Sequence, residues 1–335
     1  EFRRVLFRSN GSTVTVNDTS NTTDPGFVFG GYNNSGASAG NTVTLNNGAT
    51  VEYSVFGGAA SGGGSVTGNT VTLHSGSAVY NLYGGWAEDA GSASGNIVIV
   101  HTGAVVEGNV YGGILGSASG ITADNNTVTL HSGVAVGNDV YGGNKLSILA
   151  IGAGNRLVLI GAGQSVGGNL KGFQTLDFSL PAATAGGSTV LTVAGEADIT
   201  GVTVALGFEA APSLNGGSKI TLIDAGAGTL TGVPANSTVS ASGYTFRIEV
   251  EDSKLVATVM DEVATYTATL NIQLDGSPSN SEATPYTLKL DGDEATAYDM
   301  TGAGATRTAN VPNGTWKVCD SFSGEYTGVM IVIKD

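Results

Sequence analysis

The chain's only three histidines, His74, His101 and His131, each stand immediately before a Ser/Thr-Gly pair. Neutral imidazoles are good ligands for zinc and copper, so three of them at one recurring position invite a metal reading. Against it, no Cys, Asp or Glu recurs beside them, and the same position is Asn46 in one copy and Ile160 in another. The position reads as a tolerant turn site, and no metal or other cofactor is expected.

Cleavage of a sugar chain needs carboxylates, or a carboxylate with a cation, converging on one groove. The acids of the repeats, Glu52, Glu88, Asp89, Glu107, Asp124 and Asp139, share no repeat position. Glu88-Asp89 is the adjacent pair among them, in a Gly-rich segment with no basic neighbour, and reads as a solvated loop. No catalytic residue is assigned and the chain is read as a non-enzyme. Gly62-Gly63-Gly64 lacks the following helix that would make it a phosphate cradle. Thr42/Thr44, Thr70/Thr72 and Thr127/Thr129 resemble the threonine arrays of ice-binding solenoids, but Ile97/Ile99 and Arg156/Val158 interrupt them, and Thr is the ordinary outward residue of a strand.

A third pattern is aromatic. Phe29, Phe56, Tyr83, Tyr111 and Tyr141 occupy one repeat position, and Lys171 stands there where the repeat decays. The column is either an exposed stripe that stacks on sugar rings or an internal stack that closes each corner of a coil. Trp86, in the segment that follows, is the best single candidate for an exposed contact. The candidate ligand contacts are thus Trp86, Glu88, Asp89, Tyr83, Tyr111 and Tyr141.

These residues are positioned by a repeat of 27 to 30 residues. An apolar-aromatic-Gly-Gly tetrad recurs as Val28-Phe29-Gly30-Gly31, Val55-Phe56-Gly57-Gly58, Leu82-Tyr83-Gly84-Gly85, Val110-Tyr111-Gly112-Gly113 and Val140-Tyr141-Gly142-Gly143. On the same beat run Asn41-Thr42-Val43-Thr44-Leu45, Asn69-Thr70-Val71-Thr72-Leu73, Asn96-Ile97-Val98-Ile99-Val100, Asn126-Thr127-Val128-Thr129-Leu130 and Asn155-Arg156-Leu157-Val158-Leu159. Their alternation has the period of a strand with one buried face. One repeat alone buries too little, but stacked copies about 4.8 Å apart give each strand a neighbour above and below. The predicted inward set is Val71, Leu73, Val79 and Leu82 in the second repeat and Val128, Leu130, Val136 and Val140 in the fourth. The Gly-Gly pairs are expected at corners, where positive φ angles are needed.

Composition agrees with a solenoid. Gly supplies 53 of 335 residues without a three-residue period, and charged residues are only 12%. The net charge of −15 argues against a nucleic-acid partner. With Cys319 as the one cysteine, no intrachain disulfide can form, and no apolar run is long enough for a transmembrane helix. Residues 1–9, Glu1 to Ser9, hold Arg3, Arg4 and Arg8 and read as a cloning or sequencing flank.

The tetrads, the Asn-Thr-Val-Thr-Leu strands and Leu176 to Pro181 followed by Thr189 to Val193 resemble the passenger regions of autotransporter-type adhesins. That resemblance covers about residues 10 to 260, although no C-terminal membrane barrel is recognisable. It implies a right-handed β-helix displayed outside a bacterial cell, with host glycans or neighbouring cell surfaces as partners. From residue 262, Asp275-Gly276 and Asp291-Gly292 signal turns, and Val311-Pro312-Asn313-Gly314-Thr315-Trp316-Lys317-Val318 resembles prealbumin-like (Cna-B-like) stalk modules. Their isopeptide crosslink is not expected, because the first strand carries no lysine.

The expected architecture is therefore all-β: flank 1–9, solenoid repeats 10–180, irregular terminal rungs and cap 181–261, and a small β-sandwich 262–335. The expected function is an extracellular or cell-surface, adhesin-like, monomeric stalk whose loops Trp86 to Gly95 and Ile114 to Asn125 make contact. The alternative is a polysaccharide-cleaving β-helix enzyme of the pectate lyase or polygalacturonase kind.

Overall fold

A computed structural model describes residues 4–6, 10–17, 26–89, 91–116, 122–145, 149–150 and 152–260, and in the C-terminal part 265–271, 273–274, 277–278, 286–291, 293–301, 306–312, 314–320 and 326–333. The predicted turns at 275–276, 292 and 313, and residues 117–121 of the second contact loop, lie outside them. Among the described residues every regular element is a strand. The chain divides into two units, Glu1–Met260 and Asp261–Asp335.

The first unit is a β-solenoid of about seven turns. The five Asn-headed strands, with Thr13–Val16 before them and Thr175–Leu180 and Thr203–Phe208 after them, form one eight-stranded sheet. Its pairs are parallel and in register, so Val43, Val71, Val98 and Val128 make one column. On the facing sheet, Val51, Val79, Val106, Val136, Val166 and Val193 make a second column, and Val55, Leu82, Val110, Val140 and Leu170 a third. All eight predicted inward residues are at most 2% exposed. Each such burial is worth about 1.5–3 kcal/mol, and stacking repeats it at every rung.

The glycine pairs differ from expectation. None of Gly30, Gly31, Gly57, Gly58, Gly84, Gly85, Gly112 or Gly113 has a positive φ; they lie inside strands such as Thr50–Ala60 and Ala78–Ala87. Proximity demands glycine there. A Cβ on Gly84 would sit 2.4 Å from the carbonyl oxygen of Gly112, and one on Gly85 would sit 2.5 Å from Nδ2 of Asn96. The two sheets are pinched together at this line, which separates the main core from a smaller one of Ala60, Val66, Ala87, Ala93, Leu115 and Ala123. Positive φ falls instead at the turns, as at Gly76 (+77°) and Gly103 (+80°).

At one end, Arg4–Leu6 pairs in parallel with Phe27–Phe29, so the segment set aside as a flank adds a strand to an open sheet edge. Beyond Thr203–Phe208 the order changes: Lys219–Asp224 pairs antiparallel with Lys254–Val259, which pairs with Tyr244–Glu251.

The second unit has a four-stranded antiparallel sheet, Asp293–Asp299, Tyr286–Leu290, Gly314–Asp320 and Tyr326–Ile333 in that order, and the pair Thr265–Asn271 with Thr306–Pro312. Ala268 and Val311 from the pair join Leu288, Trp316 and Val318 from the sheet in one core, the arrangement of a small β-sandwich. Cys319 is buried.

Candidate functional site

The aromatic column packs as a continuous ring stack. Centroids of Phe29 and Phe56 are 4.6 Å apart, Phe56 and Tyr83 4.6 Å, Tyr83 and Tyr111 5.1 Å, and Tyr111 and Tyr141 5.6 Å, with planes within 7° of parallel. Register dictates this, because identical positions in parallel strands lie one rung apart. Phe29 and Phe56 belong to a cluster separate from the main core, with Ala59 buried and Tyr32, Tyr83 and Trp86 packed against it. Phe29, Phe56, Tyr111 and Tyr141 are buried and Tyr83 is half-buried. Their faces are occupied by each other, which leaves ring edges and phenol oxygens as contact groups. Burial pushes the Tyr83 phenol up to about 12, and burial with the Asp139 carboxylate raises that of Tyr141.

Trp86 is not in a loop. It lies in strand Ala78–Ala87, half-buried, with its ring 5.2 Å from Phe56 and 6.3 Å from Tyr83. The strand continues through Gly84-Gly85 because those glycines are extended, so the tryptophan is carried onto the flank of the stack. Glu88 and Asp89 follow it at the surface, and both are exposed. Asp89 accepts a hydrogen bond from the backbone N–H of Gly62 on the preceding rung at 2.6 Å, which ties one loop to the next. The structure thus brings Trp86 and Tyr83 together, places Glu88 and Asp89 just beyond them, and sets Tyr111 and Tyr141 one and two rungs further on.

Lys171 continues the column as an ion pair with Glu196, which also accepts from the Thr231 hydroxyl at 3.0 Å. The Glu196 carboxylate raises the lysine pKa, and the lysine lowers that of Glu196.

The histidines also stack. Ring centroids of His74 and His101 are 5.0 Å apart at 6°, and those of His101 and His131 4.4 Å at 37°. Desolvation, with the adjacent imidazole, lowers the pKa of both His101 and His131. Among the described residues no three His, Cys, Asp or Glu side chains are grouped to hold a metal ion.

Sequence reasoning missed the feature that organises the coil. Asn41, Asn69, Asn96, Asn126 and Asn155 are wholly buried, and each of the first four donates from Nδ2 to Oδ1 of the next at 2.8, 2.9, 3.1 and 3.1 Å. The same oxygens accept the backbone N–H of the preceding asparagine at 2.9–3.1 Å. The second amide hydrogen of Asn69, Asn96, Asn126 and Asn155 goes to the carbonyls of Ser38, Val66, Ala93 and Ala123. Gln174 ends the ladder by accepting from the Asn155 N–H at 2.9 Å. The signal was present as the unvarying residue heading each of these strands. An outer ladder of Asn81, Asn109, Asp139 and Asn169 runs beside the aromatic column.

No protein-family model, curated protein or solved structure matches this chain.

Proposed function

We propose that the chain is an extracellular or cell-surface, adhesin-like structural protein of bacterial type. In this reading the solenoid is a rigid spacer, its loop flanks contact host glycans or neighbouring cells, and the second unit is a stalk module. The observation that carries it is that side-chain columns run unbroken from rung to rung. Valine, asparagine and aromatic positions alike serve stacking, a design that resists bending and needs no disulfide. Trp86 with Glu88 and Asp89 supplies an aromatic edge and hydroxyl acceptors at one surface patch.

The alternative is a polysaccharide-cleaving enzyme with Glu88 and Asp89 as its carboxylates. It draws on the exposure of that pair, but the Gly62 contact gives Asp89 a structural task. Glycan arrays and reducing-sugar assays on the purified protein separate the two. Glycan or cell capture without turnover is the expected result. Turnover of pectin or mucin glycans abolished by Glu88→Gln with Asp89→Asn contradicts the adhesin reading.

A further inference from the structure

A groove runs along the outside of the solenoid at the bend of the large sheet. It follows one column of register-matched positions, Tyr80, Glu107, Gly137, Gly167, Ala194 and Gly226, each the residue after a buried Val or Ala. At one end Glu52, Tyr80 and Glu107 border a hollow of about 220 Å³. From the rung after Glu107, the same column floors a hollow of about 520 Å³ that reaches Asp224.

The floor is held open by the backbone. A Cβ on Gly137 would lie 1.9 Å from the carbonyl oxygen of Glu107, and one on Gly167 2.1 Å from that of Gly137, so neither position can carry a side chain. Tyr80 is 44% exposed and Tyr53, beside Glu52, 36% exposed. Tyr53 stacks on Phe27 with ring centroids 5.4 Å apart, whereas Tyr80 borders the smaller hollow.

We propose that this groove binds an uncharged, hydroxyl-rich linear glycan laid along the solenoid axis, with Tyr80 as its stacking platform and Glu52 and Glu107 as hydroxyl acceptors. This rests on the glycan-contact reading above but assigns a different surface from the Trp86 patch. Two observations select the occupant. The backbone N–H groups of Glu107, Gly137, Gly167 and Ala194 are already given to the preceding rung, so a peptide strand finds none of these donors for β-addition. The charged residues lining the groove, Glu52, Glu107 and Asp224, are all acidic, and Asp224 is paired with Lys254 at 2.9 Å, which disfavours uronate or sulfated chains. Rungs about 4.8 Å apart also lie close to the spacing of successive sugar units.

The test is calorimetric titration of the full chain with cellohexaose, chitohexaose and hexagalacturonate. At least one neutral hexasaccharide is expected to bind and the acidic one not to. Tyr80→Ala should weaken binding about tenfold or more, Tyr80→Phe should restore it, and Ser165→Trp, which plugs the larger hollow, should abolish it; circular dichroism establishes that each variant is folded. Unchanged affinity in folded Tyr80→Ala, or equal affinity for hexagalacturonate, overturns the proposal. Neutral-glycan binding lost only in Trp86→Ala sinks the groove and leaves the adhesin reading standing, whereas silence toward every glycan and cell surface sinks both.

Discussion

At the scale of single residues, the asparagine ladder and the glycines facing it carry the sharpest consequences. Asn96→Ala leaves the Asn69 N–H and one Asn69 amide hydrogen buried without an acceptor, at about 1–3 kcal/mol for each orphaned group. A loss of about 2–6 kcal/mol is expected in denaturant unfolding. Gly84→Ala forces a methyl against the Gly112 carbonyl and is expected to cost more than about 3 kcal/mol or to prevent folding. Gly133→Ala meets nothing within 4 Å and has only its φ of +71° against it, so about 1 kcal/mol is expected from the same measurement. The histidine stack gives a pH dependence. Because His101 and His131 titrate below the usual imidazole range when folded, the unfolded chain takes up more protons as pH falls through about 6.5. Stability is present above that pH and declines below it until the folded pKa is passed. Thermal melts from about pH 7.5 to about pH 5, which bracket the imidazole range, should show the decline. His101→Asn, which copies the Asn17–Asn46 pair of the same column (2.8 Å), should flatten it. A slope unchanged by that substitution assigns the acid sensitivity elsewhere.

At the scale of elements, register decides what can change. The repeat length drifts between 27 and 30 residues while the Asn-headed strands stay matched residue for residue, so extra length is absorbed between them. A glycine inserted after the exposed Asp89 is expected to shift stability by less than about 1 kcal/mol. The same insertion between Val98 and Ile99 turns Ile99 inward and Val100 outward, and loss of the cooperative transition is expected. Strand positions and core columns were legible in the sequence for this reason: Val and Leu at alternate positions on a fixed beat have one stacking solution. The role of Gly84-Gly85 was not, because composition cannot distinguish a glycine required by φ from one required by a neighbouring rung's carbonyl. Trp86 was misplaced by the same error, since a corner at Gly84-Gly85 would have ended the strand before it.

At the scale of the whole molecule, the candidate site was legible only in part. Tyr83, Tyr111 and Tyr141 were recognisable as a column, but whether rings at one position face solvent or each other depends on rung spacing, which no single repeat encodes. Tyr80 belongs to no repeat motif and drew no notice, yet it is exposed and borders the smaller hollow. Fold and proposed function alike depend on successive coils enclosing a dry interior held by the asparagine ladder. Residue-resolved amide hydrogen exchange on the intact chain tests that most directly. The backbone amides of Asn41, Asn69, Asn96 and Asn126 should be among the slowest in the protein, and Asn96→Ala should speed exchange at Asn69 above all. Exchange of these amides as fast as that of the exposed turn residue Ser75 would contradict the stacked, laddered core.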